Sequence, residues 1–418
     1  MQTNLAAGIK DTPEGQEAES ILRKCVHCGF CLATCPTYNL LGDELDSPRG
    51  RIYLMKEMLE DAAVTATTQL HLDRCLTCRA CESTCPSGVQ YGRLIDIGRE
   101  MVERKVPRPF IEKLKRTVLK KTLTQTALFG AGLAIGRMVK PLLPESLGKK
   151  ITAKRDAGVW PTALHDRKML VLEGCVQPAM APNINSASAR VLDKLGISLV
   201  KAPGAGCCGA IPHHLNDVHE AHVLIKRNID AWWPFVVAGV ETIVVTASGC
   251  GTMVSEYGYA LRHDTDYAEK AARISALFRD LSQVIADEKE ALAKQLKMVA
   301  GTQQKIAFHS PCSLQHGLKI KGVVEDLLRD AGYELTSVPD GHLCCGSAGT
   351  YSLLQSELSQ QLLVNKVSAL ESGAPEVVAT ANIGCLAHLE SGLNNSSKTP
   401  IRHWIELLDE RLSKLLKV

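Results

Sequence analysis

The chain has 418 residues and a mass of 45.3 kDa, a length that favours roughly two or three domains over one. With 48 basic and 45 acidic residues its formal net charge is only +3, which argues against a protein that binds nucleic acid through bulk positive charge. Hydrophobic residues make up 45% of the chain, enough to form buried cores, which excludes a disordered tail or a coiled coil.

The most informative feature is the cysteine content, 16 residues in all. The N-terminal residues show no apolar run after a basic start, so we expect no signal peptide and a cytoplasmic protein. Thiols stay reduced in the cytoplasm, where clustered cysteines are typical of metal sites and not of disulfides. The longest weakly charged stretch, Thr122–Gly136, is shorter than the roughly 20 residues that cross a bilayer, so any membrane contact is expected to be peripheral.

Two cysteine strings come first along the chain, CVHCGFCLATCP and CLTCRACESTCP. Each has the C-x2-C-x2-C-x3-C-P spacing of bacterial ferredoxins, in which three thiolates hold one [4Fe–4S] cluster and the fourth belongs to the other cluster. Structural zinc is the alternative, but it usually uses paired C-x2-C elements. The spacing therefore predicts two clusters with crossed ligation. The predicted ligands are Cys25, Cys28, Cys31 and Cys85 for cluster 1, and Cys75, Cys78, Cys81 and Cys35 for cluster 2.

The segment between the two strings is longer than a minimal ferredoxin needs, and its pattern predicts a helix. Ser47 is a favourable N-cap, Pro48 fits the first turn, and an apolar stripe follows. We therefore expect a helical ferredoxin-like module. Two arginines of this segment, Arg49 and Arg51, are expected either to bind a partner or to pair with nearby carboxylates.

A cysteine-free stretch runs from about Tyr91 to Lys168. It is basic in RKVPRPFIEKLKRTVLKK and then turns apolar, a pattern that predicts a helical connector. We expect an amphipathic helix packed on its neighbours. The alternative is a basic helix and an apolar helix that rest on a membrane surface or on a partner subunit.

The rest of the chain is an internal repeat. KMLVLEGC matches KIAFHSPC, each half contains a CCG triplet, and ETIVVTASGC matches EVVATANIGC. The first three cysteine pairs are 137 residues apart and the last pair is 135 apart, a spacing that indicates a duplicated domain. The matched pairs are Cys175 with Cys312, Cys207 with Cys344, Cys208 with Cys345, and Cys250 with Cys385.

Each half reads as three strands alternating with helices, which predicts an α/β layer with a parallel sheet. The cysteines stand where strands end, at the edge where open α/β sheets collect ligands. Overall we predict an α+β protein: an N-terminal α-helical ferredoxin-like module, a helical connector, and duplicated α/β domains with parallel sheets. The predicted domains are 1–100, 101–167, 168–300 and 301–418.

The adjacent cysteines of each CCG triplet indicate a loop that carries ligands. Neighbouring side chains of a strand point to opposite faces, whereas on a loop both thiols can reach one metal, and glycine permits a tight turn. Each half therefore offers four thiols to a metal cluster; a zinc site or a redox-active thiol set is the alternative. The candidates are Cys175, Cys207, Cys208 and Cys250 in one half and Cys312, Cys344, Cys345 and Cys385 in the other.

Other motifs in the sequence do not indicate a nucleotide-binding site or a catalytic site on this chain. GAGCCG fits G-x-G-x-x-G literally, but its variable positions hold the cysteine pair, so we reject it as a dinucleotide site. The sequence contains no P-loop and no HExxH string, and we assign no catalytic residue. Several histidines lie near the cysteines of the second half, and His388, in a C-x2-H arrangement, is the strongest candidate among them for a ligand.

Taken together, CVHCGFCLATCPTYNLLGDELDSPRGRIYL, CLTCRACESTCPSGV, TASGCG, HLCCGSAGTY and TANIGC resemble the iron–sulfur subunits of bacterial glycolate oxidase. The likeness extends over nearly the whole chain and is weakest in the connector. It implies a complex in which separate flavin-containing dehydrogenase subunits, carrying the FAD, oxidise glycolate to glyoxylate. This chain would then pass electrons to a quinone-linked or membrane acceptor, peripherally at the cytoplasmic face of the inner membrane, and would be non-catalytic alone.

Related plans occur in the iron–sulfur subunits of anaerobic glycerol-3-phosphate dehydrogenase and of lactate-utilisation systems, which are alternative family assignments. Heterodisulfide reductase shares the CCG domain and suggests a thiol or disulfide reductase as a further alternative. In that enzyme the last element of each repeat is C-x2-C, whereas here Met253 and His388 occupy the final position. The fifth thiol is therefore missing in both halves, which argues against disulfide-cleaving chemistry.

Overall fold

The computed structural model describes residues 1–142, 152–298 and 302–414. Contacts within the chain divide it into two compact units. The first unit comprises Met1–Thr117, His214–Asn216 and His342–Lys366, and the second comprises Val118–His213, Asp217–Gly341 and Val367–Val418.

The N-terminal part of the first unit is helical, as predicted. Its core is formed by Ile21 and Leu22 of the second helix, Met55 of the fourth and Leu94 and Ile95 of the seventh, all fully buried or nearly so. Apolar side chains spaced three or four residues apart give each helix the one buried face that this packing needs. The helices are α1 (Ala7–Lys10), α2 (Pro13–Lys24), α3 (Pro36–Leu41), α4 (Pro48–Leu59), α5 (Ala66–Asp73), α6 (Ala80–Thr84) and α7 (Tyr91–Lys105), with a 3-10 turn at Glu44–Asp46.

The predicted start of α4 is confirmed. Ser47 is its N-cap and its hydroxyl accepts a hydrogen bond from the Gly50 N–H at 3.0 Å, while Pro48 occupies the first turn, where its missing N–H has no cost. A Cβ at Gly50 would lie 1.9 Å from the Glu44 carbonyl oxygen, so only glycine allows α4 to approach the preceding turn.

The connector contains the two helices α8 (Phe110–Leu123) and α9 (Thr126–Val139), followed by a 3-10 turn at Lys140–Leu142. No residue of α9 is fully buried. Residues 152–166 form no helix or strand. Within the described ranges, no helix is both long enough and apolar enough to cross a membrane.

The second unit is built on two four-stranded parallel sheets, which confirms the predicted fold class. Their strand orders, β2-β1-β3-β4 and β6-β5-β7-β8, are equivalent, as expected of a duplication. Leu170 of the first strand is in register with Val200 of the second and Ile243 of the third. The strands are β1 (Arg167–Leu172), β2 (Ile197–Lys201), β3 (Ile243–Val245), β4 (Phe278–Asp280), β5 (Lys305–His309), β6 (Glu334–Leu335), β7 (Val377–Thr380) and β8 (Ile401–His403).

The helices that alternate with these strands cover both faces of the sheets. In β1, Met169 and Val171 belong to one hydrophobic cluster while Leu170 and Leu172 belong to another, so the strand is buried on both faces, as its apolar run predicts. The remaining helices are Gln177–Met180, Asn183–Lys194, Ala210–His214, Val218–Val237, Ser248–Ser255, Tyr257–Ala260, Ala268–Leu277, Leu281–Asp287, Lys289–Lys297, Val323–Asp330, Tyr351–Leu354, Ser356–Glu371, Ile383–Leu393 and Trp404–Ser413, with a π-helical turn at Ser313–Gly317.

Each sheet has one strand more than the sequence pattern predicts. The additional edge strands, β4 and β8, are three residues long, and each has an arginine at its centre, so they lack the apolar run by which the other strands are recognised. The two sheets share a single large core within the second unit. Two polar contacts also connect the halves of the repeat. The imidazole of His403 lies 3.0 Å from the Thr246 carbonyl oxygen, and Arg190 forms a salt bridge of 2.6 Å with Asp409.

Candidate metal centres

The two ferredoxin strings form loops that turn in the same way. In the first loop His27 and Gly29 have φ angles of 55° and 83°, and in the second Thr77 and Arg79 have 53° and 59°. These left-handed positions fold each string into a tight turn, so that its first three cysteines line one pocket. A left-handed β-branched residue such as Thr77 is strained, which is common where a backbone is shaped by a site and not by a regular element.

The first pocket is lined by thiols from both strings. Phe30 and Arg49 also line it. Its cysteines are the three leading thiols of the first string together with the last thiol of the second, and one further thiol of the second string: Cys25, Cys28, Cys31, Cys85 and Cys81.

The second pocket has the reciprocal composition. It is lined by the last thiol of the first string and the leading thiols of the second: Cys35, Cys75, Cys78 and Cys81. The structure thus brings together each set of four that the crossed spacing predicts, and the two pockets share Cys81 and Tyr91. The ligation itself remains a prediction.

The raised pKa values of two of these thiols are consistent with a site that holds a positively charged group. Burial raises the pKa of Cys31 to about 11 and raises the pKa of Cys81 well above its ordinary value. A buried thiol of this kind stays protonated unless a cation compensates its negative charge, and iron supplies such compensation.

A buried charge network borders the second pocket. The Arg51 side chain is 1% exposed; it donates to the His71 carbonyl oxygen at 2.7 Å and pairs with Asp46 at 3.0 Å, and its Nη1 lies 4.0 Å from the Sγ of Cys35. Arg74 also binds Asp46, at 2.8 Å. Of the two expectations for Arg51, pairing with a nearby carboxylate is confirmed.

Arg99 is a site residue that the sequence did not single out. It is buried, and it donates to the carbonyl oxygens of Leu72 and Cys75 and to the Thr77 hydroxyl at 2.5 to 3.1 Å. These bonds fix the start of the second string. Nothing in the local pattern marks Arg99, which looks like one more charged residue on the amphipathic helix α7.

In the first CCG domain the four candidate thiols converge at one edge of the sheet. Cys175 follows β1, the adjacent pair Cys207 and Cys208 follows β2, and Cys250 lies in the first turn of the helix that follows β3. Because β1, β2 and β3 are parallel neighbours, their carboxyl ends bring the three segments together.

The four thiols influence one another's ionisation. The thiols of Cys175 and Cys208 lower the pKa of the Cys207 thiol, and the backbone N–H of Gly209 and the guanidinium of Arg227 lower it further. Cys207 and Cys250 in turn raise the pKa of Cys208, as does its burial. Buried thiols that interact in this way can exchange their protons for a metal ion, so this set fits a metal centre.

Two buried polar side chains shape the CCG loop of this domain. Asn228 accepts from the Gly206 N–H at 2.8 Å and donates to the Cys207 carbonyl oxygen at 2.9 Å. Tyr257 donates its hydroxyl proton to the Cys208 carbonyl oxygen at 2.9 Å. Neither residue is predicted from the sequence, although an asparagine on the helix face formed by Leu224, Ile225 and Trp232 is a signal that a backbone group needs a partner.

The glycine of each CCG triplet is required by its backbone. Gly209 and Gly346 have φ angles of 91° and 89°, and a Cβ would lie 3.1 Å from the Ala221 carbonyl oxygen and 2.7 Å from that of Ser359. The two loops therefore share their conformation and their close approach to a helix, consistent with the duplication.

The candidate thiols of the second CCG domain fall in both units. Cys344 and Cys345 lie in the segment His342–Lys366 of the first unit, in which the hydroxyl of Tyr351 donates to the Arg74 carbonyl oxygen at 3.1 Å. The other two belong to the second unit, Cys312 directly before a π-helical turn and Cys385 in the first turn of the helix after β7.

A histidine other than the one that the sequence favours lies close to a candidate thiol. A ring nitrogen of His309 lies within 4.8 Å of the Cys385 sulfur, and the imidazole is buried with its Nδ1 3.0 Å from the Thr380 hydroxyl. The predicted role of His388 as a ligand remains a prediction. Parallel pairing of β5 with β7 brings His309 to this edge, a relationship that sequence proximity to a cysteine does not reveal.

Family comparisons agree with this geometry. Residues 21–89 match the model described as a 4Fe-4S dicluster domain, and residues 169–255 and 306–390 each match the model described as a cysteine-rich domain. The matched segments contain all eight ferredoxin thiols and all eight thiols of the repeat. They imply that the chain carries iron–sulfur clusters.

Curated relatives give the same result over the full length. The glycolate oxidase iron-sulfur subunit of Escherichia coli (strain K12) is 51% identical over 99% of this chain and 100% of its own length. The probable glycolate oxidase iron-sulfur subunit of Bacillus subtilis (strain 168) is 29% identical over 94% of each chain. Lactate utilization protein A of Bacillus licheniformis is 27% identical over 57% of this chain and 97% of its own length. The chain belongs to the family of glycolate oxidase iron–sulfur subunits, as its motifs predict.

Proposed function

We propose that this chain is the electron-transfer subunit of a flavin-dependent glycolate oxidase and is non-catalytic alone. Glycolate would be oxidised to glyoxylate on partner subunits that hold FAD, and this chain would pass the electrons toward a quinone-linked acceptor. One observation supports the proposal most strongly: two thiol-lined pockets, each drawing on both ferredoxin strings, adjoin at Cys81 and Tyr91. Adjoining redox groups are what a conduit requires.

The proposed ligands are those of the crossed arrangement, with Cys25, Cys28, Cys31 and Cys85 for one cluster and Cys75, Cys78, Cys81 and Cys35 for the other. An iron–sulfur cluster, when bound, takes up and releases electrons one at a time. Oxidation of an alcohol carbon to a carbonyl removes a pair of electrons. Carriers of this kind pass the pair, one electron at a time, from a flavin to a distant acceptor.

The surrounding residues have separate proposed tasks. Arg99 holds the second string in its turn, and Arg51 provides a buried positive charge beside Cys35. Cys28 is exposed whereas Cys25 and Cys35 are buried, so the first pocket presents its ligand loop to solvent. We propose that electrons enter or leave through that exposed loop.

The repeat is proposed to hold further metal. Its ligand candidates are Cys175, Cys207, Cys208 and Cys250 in residues 168–300, and Cys312, Cys344, Cys345 and Cys385 in residues 301–418, within a four-domain division that begins with 1–100 and 101–167. The convergence of its four thiols at one edge of the first sheet supports the first of these sites, together with the mutual effect of Cys175, Cys207 and Cys208 on their pKa values. Disulfide reduction is the alternative activity; a disulfide substrate reduced by the purified chain with an artificial donor would favour it.

The proposal is tested by Cys28→Ser and Cys78→Ser in the assembled complex. Glycolate should still reduce the flavin of the partner subunits, while reduction of an external quinone analogue should fall below about one hundredth of the wild-type rate. Ala33→Ser, an exposed change in the same loop, serves as the matched control. A variant that delivers electrons at the wild-type rate, or one whose flavin is no longer reduced by substrate, would contradict the conduit role.

The substrate of the complex is proposed from the relatives. Glycolate is favoured because the relative that covers the whole chain at 51% identity carries that name, whereas the lactate-utilisation relative covers 57% of the chain. Lactate and glycerol 3-phosphate are the alternatives. Flavin reduction in the assembled complex, compared for the three compounds, decides between them. The location proposed for the complex is the cytoplasm, peripherally at the cytoplasmic face of the inner membrane.

A further inference from the structure

The connector helix α9 exposes an apolar face that has no partner among the described residues. One side of the helix packs against Gln177–Met180, with Gly130 next to Ala179. On the other side Leu128 is 47% exposed, Ile135 is 56% exposed and Met138 is 72% exposed. No charged residue occurs between Lys121 and Arg137, so this face offers solvent only hydrocarbon and the thioether of methionine.

The preceding helix α8 adds an exposed face of a different kind. Its large apolar residues are exposed by 50% to 77%, and exposed lysines alternate with them. The apolar members are Phe110, Ile111, Leu114 and Val118, and the exposed lysines are Lys113, Lys115 and Lys121. Glu112, the acidic residue of α8, is engaged by Arg108 at 2.7 Å and by Arg116 at 3.3 Å. The net charge of this face is therefore positive.

We propose that α8 and α9 seat this protein on an anionic lipid bilayer. The apolar side chains of both helices would enter the boundary between headgroups and acyl chains, and Lys113, Lys115 and Lys121 would meet the lipid phosphates. The inference rests on the peripheral membrane position proposed above, and it names the segment and the lipid class that provide it.

The mixture of lysine and hydrocarbon favours lipid over a protein partner. The centres of protein–protein interfaces are depleted in lysine, because its ammonium group is costly to dehydrate there. At a bilayer surface lysine lays its methylenes along the apolar boundary and keeps its ammonium group among the phosphates. With 14 residues, α9 is roughly 21 Å long, too short to cross a hydrocarbon core of about 30 Å and well suited to lie in its surface.

The test is flotation of the anaerobically purified full-length chain with vesicles of phosphatidylcholine, with and without phosphatidylglycerol. The chain should float with the anionic vesicles and release in high salt. Ile135→Asp with Met138→Asp should lower the partition coefficient at least tenfold, and each of Lys113→Gln, Lys115→Gln and Lys121→Gln should lower it about fivefold. Two substitutions outside α8 and α9 serve as controls. Val364→Asp changes a valine that is 58% exposed, as a match for the α9 variant, and Lys294→Gln matches the lysine variants.

Three results would overturn the proposal. The wild type stays with the solution at low salt, or Val364→Asp reduces flotation as much as the α9 variant does. The third is an α9 variant that floats like the wild type but no longer binds a partner subunit. Iron content should be unchanged in the α8 and α9 variants, and reduction of a water-soluble dye acceptor by their complexes should persist. Cys28→Ser separates this inference from the proposed function, because it should abolish electron delivery and leave flotation at the wild-type level.

Discussion

The Nη1 of Arg51 lies 4.0 Å from the sulfur of Cys35, and the arginine is only 1% exposed. The guanidinium is held there by Asp46, whose buried carboxylate also binds Arg74. A positive charge fixed beside a ligand sulfur stabilises the extra electron of a reduced cluster, since net charge and hydrogen bonds at sulfur set the potential. The network around Cys35 thus distinguishes the second pocket from the first.

Arg51→Gln is expected to lower the reduction potential of the cluster proposed at Cys35, Cys75, Cys78 and Cys81. The neutral amide removes the charge, and the potential of the other cluster should move less. Potentiometric titration followed by electron paramagnetic resonance measures both. Arg104→Gln, an exposed change on α7, should leave both potentials in place. An unchanged or higher potential in Arg51→Gln, with its iron content intact, would refute a tuning role for Arg51.

Iron content separates the ferredoxin sites from the CCG sites. At four irons per cubane the ferredoxin pair accounts for about eight, so a chain whose CCG domains are also loaded should contain about twelve or more. Cys208→Ser should then lose only the additional iron. Cys28→Ser serves as the reciprocal control, because it should lose iron from the ferredoxin pair and retain the rest. About eight irons together with zinc would instead assign zinc to the CCG domains.

The features that the sequence predicted well are those that depend on local spacing. The cap at Ser47 and the doubly buried strand β1 follow from residues a few positions apart. The convergence of Cys175, Cys207 and Cys250 needed only the rule that parallel strands end at the same edge.

The features that the sequence did not predict depend on partners far apart in the chain. Arg99 is an ordinary helix residue until folding places carbonyl oxygens in front of it, and Asn228, although it stands out on an apolar helix face, does not reveal which backbone groups it binds. His309 approaches Cys385 only because β5 pairs with β7. Such pairings are decided by tertiary contacts, and one sequence does not encode them as a period or a motif.

Asn228→Leu should destabilise the second unit by about 3 kcal/mol, because it leaves the half-buried Gly206 N–H and the buried Cys207 carbonyl without a partner, and each lost partner costs about 1–3 kcal/mol. Urea unfolding measures the loss. The CCG loop should also become accessible, so thiol labelling of metal-free protein should accelerate. Asn395→Ala, at an exposed asparagine, is the matched control, and equal losses in the two variants would contradict the assigned role.

Asp280 makes the stability of the second unit depend on pH. Burial raises the pKa of its carboxyl group to about 6, although the group accepts from the N–H and the hydroxyl of Ser282. The folded state therefore binds a proton that the unfolded chain has released, with an ordinary pKa of about 3.9. The sign follows from linkage: stability is highest below about pH 4 for this group and falls as the pH rises to about 6.

Asp280→Asn should remove this dependence, because asparagine keeps the N-cap oxygen without the charge. The variant should be more stable than the wild type at pH 7 by about 3 kcal/mol, since the pKa of Asp280 is about two units above its ordinary value and one pKa unit corresponds to about 1.4 kcal/mol, and the difference should shrink toward pH 4. Urea unfolding at several pH values measures it, with Asp11→Asn at an exposed position as the control. A variant that is less stable than the wild type at pH 7 would mean that the carboxylate is stabilised where it lies, and the burial argument would then be wrong.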